Sequence, residues 1–276
     1  MKAIKQYTIG GPDTLRYEDV ADPHPGPGSL RIAVAAAGVH TLDAAIRAGT
    51  AGEHPFANPG LPMTPGREVA GIVDEVGDGV SPDWLGQRVV THLGIASGGY
   101  AELAVREAEA VHKITDKVSE AEAVAMIGTG RTALGVLDAV RFTADDIAIV
   151  TAAAGGIGSL LVQAAAEVGA TIVGLAGGVV KTRRVAGLAG GVIAVDYTAD
   201  GWPDRVREQL GDRSATVVLD GVGGKVGAAV FDLLGARGRM ILFGYSSGEP
   251  TTLSTTDIIG RSLTVTAAIG PRLINR

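Results

Sequence analysis

The sequence predicts an α/β protein in two parts: an N-terminal domain of short strands, β-barrel in type, and a doubly wound parallel sheet with helices on both faces. Three observations predict it. Roughly the first 120 residues carry short strand-like runs separated by Gly and Pro, the pattern of a barrel-like β unit. Beyond them, runs too apolar to alternate, such as Ile147–Thr151, are interleaved with helical stretches, as in a parallel sheet covered on both faces. The length of 276 residues suits about two domains.

In the first part, strands are expected at Ala3–Tyr7, Leu15–Asp19, Leu30–Ala37, Gly71–Val76, Arg88–Thr91, Tyr100–Val105 and Val111–Lys113. Ala44–Ala48 reads as a short helix, and Gly49–Gly66 as a long Pro-rich loop of a length often tied to function. Ser119-Glu120-Ala121-Glu122 has the form of a capping box, in which Ser119 accepts an orphan N–H and Glu122 reaches back. A helix to Ile127 follows, then a break at 128–130 and a helix over Arg131–Val140. The domain boundary is set here, giving residues 1–121 and 122–276. After it, strands are expected at Ile147–Thr151, Thr171–Leu175, Val192–Val195, Ala215–Leu219, Met240–Phe243 and Leu263–Ala268. Helices are expected at Gly158–Val168, Val179–Ala189, Pro203–Leu210 and Lys225–Leu234.

Composition bounds the function. Hydrophobic residues at 46% and charged residues at 20% exclude a disordered chain. A net charge of -6 does not favour nucleic-acid or anionic-membrane partners, and none is expected. The sequence has no cysteine, which removes disulfides, thiolate metal sites and a Cys nucleophile. Ile147 to Ala166 is apolar enough for a membrane span, but Gly155, Gly156 and Gly158 at its centre favour a buried strand followed by a buried helix. The first residues lack the apolar core of a signal peptide, so the expected location is the cytoplasm.

The strongest chemical signal is Ala152-Ala153-Ala154-Gly155-Gly156-Ile157-Gly158, which follows an apolar strand and opens a helix. Ala153 holds the first position of the usual glycine pattern. Gly155 admits a pyrophosphate close to the backbone, and Gly158 lets helix and strand pack. Residues 154 to 158 then present free N–H groups and the positive helix end to an anion. The alternative is a βα turn with no ligand. At the end of the second strand an NAD enzyme carries Asp or Glu for the ribose hydroxyl. Here no acidic residue occurs between Glu167 and Asp196, and Lys181, Arg183 and Arg184 follow Gly177-Gly178. Cations there can pair with a 2′-phosphate, so NADPH is the expected cofactor. A solvated helix face is the alternative for the three cations.

Several segments together resemble the zinc-free medium-chain dehydrogenase/reductases, in the quinone oxidoreductase branch. They are Ala153 to Gly158 with Gln163, Gly38-Val39-His40-Thr41-Leu42-Asp43, Pro65-Gly66-Arg67-Glu68, Asp220-Gly221-Val222-Gly223, and Phe243-Gly244-Tyr245-Ser246-Ser247-Gly248. The resemblance implies a GroES-like catalytic domain joined to a Rossmann domain, with the active site in the cleft between them. It implies that Thr132, Ala154, Gly155, Gly156, Ile157, Gly158, Lys181 and Tyr197 line the cofactor, and that Val222, Gly244, Tyr245 and Ser246 flank its nicotinamide half. Tyr245 is also a candidate for touching substrate. For Thr132 the alternative is a hydroxyl bonded to its own helix, and for Tyr197 a surface aromatic.

Zinc-dependent relatives carry a Cys where this chain has His40 and a His where it has Arg67. With no thiolate and a cation at 67, no metal site is expected. Reduction without a Lewis acid suits quinones and α,β-unsaturated carbonyls. His40 stands where the branch usually has Asn. It is read as a hydrogen-bond partner of the substrate oxygen and its proton donor, with a structural histidine as the alternative. Asp43 is expected to cap a helix or pair with a neighbour. His24, His54, His92 and His112 are read as surface or structural. Rival readings are an enoyl-thioester reductase on the same scaffold and a non-catalytic NADPH-binding protein. A homodimer through the edge strand 263–268 is implied. Relatives continue for some tens of residues beyond the point where this chain ends at Arg276, so the C-terminal return segment, which often gives a basic side chain to the 2′-phosphate, is expected to be absent.

Overall fold

Residues 1–52, 60–94 and 97–269 are described by a computed structural model of the chain, which divides into two units, Met1–Gly128 and Thr129–Arg276. Expectations for His54, for the middle of the 49–66 loop and for the ending 270–276 lie outside the described residues.

The first unit contains β1 (Lys2–Gln6), β2 (Leu15–Asp19), β3 (Ser29–Ala37), α1 (Thr41–Ala48), β4 (Glu68–Val76), β5 (Arg88–His92), β6 (Leu103–Glu107), β7 (Val111–Lys113) and α2 (Glu120–Ile127). β1 and β2 form an antiparallel pair. The other five strands form one antiparallel sheet in the order β6-β3-β4-β5-β7. Leu30, Ile32, Val69, Val73, Val89 and Leu93 are buried together on one face. Ala70 and Val90 meet Ala123 and Val124 of α2 in a smaller cluster. That alternation is what a period of two produces on a sheet covered on both sides. Gly71 is required where β4 crosses the irregular middle of β3: a Cβ there would lie 1.9 Å from the Ala33 carbonyl oxygen. The capping box at Ser119 forms as expected, with the Glu122 amide donating to Ser119 Oγ and the Ser119 amide to Glu122.

The second unit contains α3 (Thr129–Val140), β8 (Ile147–Val150), α4 (Gly156–Glu167), β9 (Thr171–Ala176), α5 (Val179–Ala186), β10 (Ile193–Asp196), α6 (Trp202–Leu210), β11 (Ala215–Asp220), α7 (Gly224–Asp232), β12 (Leu234–Leu242), α8 (Thr255–Arg261) and β13 (Thr264–Ala267). All six strands are parallel, in the order β10-β9-β8-β11-β12-β13. Separate cores lie on the two faces, one around Ile149, Leu175, Val218 and Phe231 and the other around Val150, Leu161, Val173's neighbour Ile172, and Leu219. Each such fully buried side chain contributes about 1.5–3 kcal/mol. The strand order reverses direction between β8 and β11, the switch point where such sheets open a ligand crevice at their carboxyl ends. At the amino ends, the buried Asp146 carboxylate accepts from Thr216 Oγ1 at 2.7 Å and Arg239 Nη2 at 2.8 Å, which ties α3, β8, β11 and β12 together.

Several boundaries differ from expectation. α7 ends at Asp232, and Leu234 is strand: it pairs with Ala215 across an irregular register, so β12 starts six residues before the expected Met240. α5 stops at Ala186 because Gly187 accepts the cap position, so 187–189 is not helical. α3 starts at Thr129, so the expected 128–130 break narrows to Gly128, the C-cap of α2. Tyr100 lies before β6 and not in it, its amide donating to the Pro65 carbonyl at 2.9 Å. α8 was not expected; Ser254 caps it by accepting from the Asp257 amide at 3.2 Å. Among the described residues no single helix is long and apolar enough to cross a membrane.

Candidate functional site

In the first unit the chemistry gathers at the start of α1 and the start of β4. His40 is the N-cap of α1, with extended backbone (φ -116°, ψ 155°). Its amide donates to Asp43 Oδ2 at 2.9 Å, so Asp43 caps the helix it belongs to. The same oxygen accepts from the Tyr100 hydroxyl at 3.2 Å. The imidazole Nδ1 stands 3.6 Å from Asp43 Oδ2, and Nε2 stands 3.2 Å from Glu68 Oε2. Asp43, Glu68 and Arg67 are buried, whereas the His40 side chain keeps 32% of its surface exposed and can meet a ligand.

This surrounding shifts His40, Asp43, Arg67 and Tyr100. The Asp43 carboxylate does most to raise the His40 pKa above its ordinary value; burial and Arg67 act against the rise and Glu68 adds to it. Burial pushes Asp43 up, but bonds from the His40 side chain and amide and from Tyr100 outweigh it and leave Asp43 low. Burial, then Asp43, pushes the Tyr100 phenol above its usual range, so it remains a neutral donor. Gly66 makes room for that ring: at φ +88°, a Cβ would lie 2.3 Å from Tyr100 Cδ1.

In the second unit the loops after five strands carry the cofactor candidates. After β8, Ala152 sits at φ +47°, a left-handed backbone that a residue with a Cβ adopts only where the surroundings impose it. Gly155 is the N-cap of α4, with no side chain bonded across the cap. The first-turn N–H groups of a helix have no partner within it, so the turn presents donors at Gly156, Ile157 and Gly158. A Cβ at 158 would lie 2.3 Å from the Ala152 carbonyl oxygen and 2.8 Å from Ala153 Cα, so only glycine lets helix and turn approach this closely. α3 abuts the same turn, since a Cβ at 156 would lie 3.0 Å from Thr129 Cγ2; Thr132 is partly buried one turn further along α3.

After β9, Gly177 leaves space beside Tyr197, whose hydroxyl would be 3.4 Å from a Cβ at 177. Lys181, Arg183 and Arg184 are all exposed on α5. The structure also brings a carboxylate here that linear spacing hid. Asp196, at the end of β10, accepts from the Gly178 amide at 2.9 Å and from Thr198 Oγ1 at 2.6 Å. The Thr198 hydroxyl bond, then the amides of Gly178 and Thr198, hold its pKa low. Asp196 is thus an organiser of the 177–178 turn, with the oxygen nearest that turn already engaged.

At the switch point, buried Asp220 joins the ends of β8 and β11. Its Oδ1 accepts from Thr151 Oγ1 at 2.9 Å and from the Val222 amide at 2.9 Å, and its Oδ2 from Thr251 Oγ1 at 2.7 Å. Thr151 Oγ1 in turn accepts from the Gly221 amide at 2.9 Å. The loop after β12 docks on the one after β11: the Ser246 amide donates to Gly221 O at 3.0 Å and the Ser247 amide to Val222 O at 2.9 Å. Val222, Gly244, Tyr245 and Ser246 therefore form one bonded pair of loops, with Val222 buried and Tyr245 57% exposed. Asp220→Asn turns one acceptor oxygen into a donor facing N–H and O–H groups. It is expected to cost about 1–3 kcal/mol, read as a shift in the denaturant midpoint.

The structure thus assembles 154–158, 222 and 244–246 at the carboxyl ends of one sheet, with Lys181 and Tyr197 at the ends of its next strands. Tyr100, Glu68, Asp196 and Asp220 are the partners that linear reading did not assign. Glu68, a charged residue at the head of the apolar run Val69 to Val73, was the one with a readable signal. Of the other histidines, His24 pairs with Glu75 at 3.0 Å on the surface and His92 Nδ1 accepts from the Gly94 amide at 2.9 Å.

Comparison with known proteins agrees with both halves. Residues 26–116 match the alcohol dehydrogenase GroES-like domain and residues 156–275 match the zinc-binding dehydrogenase family. A quinone oxidoreductase of Rattus norvegicus is 31% identical over 95% of this chain and 80% of its own length. A 2-haloacrylate reductase of a Burkholderia species is 31% identical over 91% of this chain and 75% of its own. The crystal structure of Escherichia coli quinone oxidoreductase complexed with NADPH superposes with a TM-score of 0.85, at 30% identity, over 100% of this chain and 82% of that one.

Proposed function

This chain belongs to the quinone oxidoreductase branch of the medium-chain dehydrogenase/reductases, and from that we propose that it reduces quinones or α,β-unsaturated carbonyls at the expense of NADPH without a metal ion. It is an NADPH-dependent oxidoreductase. The observation that carries the reading is the strained, glycine-rich turn at 152–158, whose close approach to the first turn of α4 a Cβ at 158 would prevent. Its donors suit a pyrophosphate, and Lys181 with the Tyr197 phenol suits a ribose 2′-phosphate beside Gly177. Bound NADPH supplies a hydride to an electron-poor acceptor. The chain's own residues supply the rest. Val222, Gly244, Tyr245 and Ser246 shape the floor on which the nicotinamide half is oriented, and Thr132, Ala154 to Gly158, Lys181 and Tyr197 hold the remainder. His40 donates a proton to the acceptor oxygen, so that hydride and proton together complete a two-electron reduction. With no cysteine in the sequence and the Arg67 guanidinium where zinc-dependent relatives have His, the oxygen is polarised by hydrogen bonding alone.

A panel of acceptors tests the reading. NADPH is expected to be oxidised with a benzoquinone or phenanthrenequinone faster than with crotonyl-CoA, and NADH more slowly with either. Faster turnover of crotonyl-CoA would favour thioester reduction, and binding of NADPH with no oxidation by any acceptor would mark a non-catalytic protein. Lys181→Ala is expected to weaken NADPH about tenfold and leave NADH unchanged, measured by titration calorimetry.

The proposal includes a homodimer formed by edge pairing of β13, where Thr264, Thr266 and Ala267 are exposed. A monomeric mass at micromolar concentration in light scattering refutes it. It also places the enzyme in the cytoplasm, where its reduced cofactor is regenerated.

A further inference from the structure

The surroundings of His40 carry more than its exposure. Its two ring nitrogens face two different carboxyl groups, Nδ1 toward Asp43 Oδ2 at 3.6 Å and Nε2 toward Glu68 Oε2 at 3.2 Å. Both carboxyl side chains are nearly inaccessible, at 7% and 3%. Each is fixed from behind. Asp43 is pinned by the His40 amide and the Tyr100 hydroxyl. Glu68 lies against two glycines: a Cβ at 38 would come 2.8 Å from its Oε2, and one at 128 would come 1.8 Å from its Oε1. The backbone on both sides has been cleared of side chains to seat that carboxylate.

Charge bookkeeping then constrains the imidazole. Among the described residues, the ionisable groups that face it are Asp43 from α1, Glu68 and Arg67 from the start of β4, and the neutral Tyr100 phenol from the loop before β6. Among these groups two carboxylates stand against one guanidinium, and buried carboxylate charge is costly without a cation beside it. A protonated His40 balances it.

We propose that Asp43 and Glu68 hold His40 as an imidazolium between them, and are positioning residues for the proton that the reduction consumes. The proposal rests on the reading of His40 as proton donor. It adds how the proton is stored: the imidazolium is the resting state, the Nδ1–H, whose facing carboxylate oxygen stands 3.6 Å away and beyond hydrogen-bond length, gives its proton to the acceptor oxygen, and the neutral imidazole left behind is reprotonated from solvent between turnovers. Neither carboxylate touches substrate; each acts through the ring. The raised His40 pKa agrees with this arrangement. An Asn at position 40, usual in this branch, stores no proton, so the clamp gives this chain a pH dependence tied to one side chain.

The test is a proton NMR titration of the imidazole C2–H resonances in the full chain, with the His40 signal assigned by its loss in His40→Asn. In the wild type its midpoint is expected above the ordinary histidine value of about 6.5. In Asp43→Asn and in Glu68→Gln, each close in shape to the native residue, it is expected to fall by about one pH unit or more, and further in the double variant. The alkaline limb of the kcat profile with NADPH and a benzoquinone should move down by the same amount. A wild-type midpoint at or below the ordinary value, or midpoints indifferent to both substitutions, overturns the proposal. If the NMR midpoint moves and the kcat profile does not, the clamp stands and the donor role of His40 fails. A group that served only to cap α1 would move neither.

Discussion

Gly158→Ala is expected to abolish measurable NADPH binding and to lower the thermal midpoint by several degrees. The added Cβ would meet three backbone atoms of the 152–153 peptide, 2.3 Å from the Ala152 carbonyl oxygen, 2.8 Å from Ala153 Cα and 2.9 Å from the Ala152 carbonyl carbon. Backbone cannot rotate aside as a flexible side chain can. The first turn of α4 must therefore lift from the end of β8, and Gly156 and Ile157 move with it. Overpacking of this kind costs about 1–3 kcal/mol, and a unit of this size loses about 2–4 °C per kcal/mol. The functional loss is larger than the stability loss, because donors displaced by about an ångström no longer converge on one phosphate. Calorimetric titration with NADPH, beside a thermal melt, separates the two. Binding within threefold of wild type would mean that the turn at 152–158 does not hold the cofactor.

His40→Ala is expected to lower kcat with a quinone by about 10²-fold or more, at nearly unchanged affinity for NADPH. The split matters, since the residues proposed to hold the cofactor and His40 belong to different units. A larger change in KM for NADPH than in kcat would contradict a proton donor. The stability effect has a definite sign. The folded pKa of His40 is raised, so its contribution is complete below the unfolded value of about 6.5 and is lost as pH rises through the folded value. Asp43 is lowered, so its contribution is complete above the unfolded value of about 3.9 and is lost as pH falls through the folded one. Melts across about pH 5 to pH 9 should show the difference between wild type and His40→Asn shrinking toward the alkaline end.

The parallel sheet was legible because its central strands β8, β9 and β11 are almost wholly apolar and α4 to α7 are opened by Gly, with Pro in the first turn of α6. β8, β9 and β11 fall within a residue of expectation. The turn at 152–158 and the helix it opens were legible because their geometry depends on contiguous residues. What linear reading missed depends on residues far apart in the chain. Tyr100 reaches Asp43 across 57 positions, and Asp196 reaches Gly178 across 18. Nothing near Tyr100 distinguishes it from a strand residue until Gly66 is seen to vacate the place its ring occupies. Leu234 was read as helical because it continues an apolar helix face, and register with Ala215 decided otherwise. α8 was missed for a weaker reason: Ser254 with Asp257 is a capping pattern, but the seven residues it opens are mostly exposed and carry little periodicity.

The tie between Thr151 and Asp220 has a kinetic consequence. It fastens the carboxyl ends of the two strands that border the crevice, and Asp220 also holds the amide of Val222 and the hydroxyl of Thr251. Loops tied at their base in this way have less ordering to do when a dinucleotide arrives, so less of the attraction is consumed in freezing them. Cofactor capture by this unit should then be a single-step encounter, its observed rate linear in NADPH concentration under stopped flow. Loosening the lace, as in Asp220→Asn, should bring a slower phase that saturates.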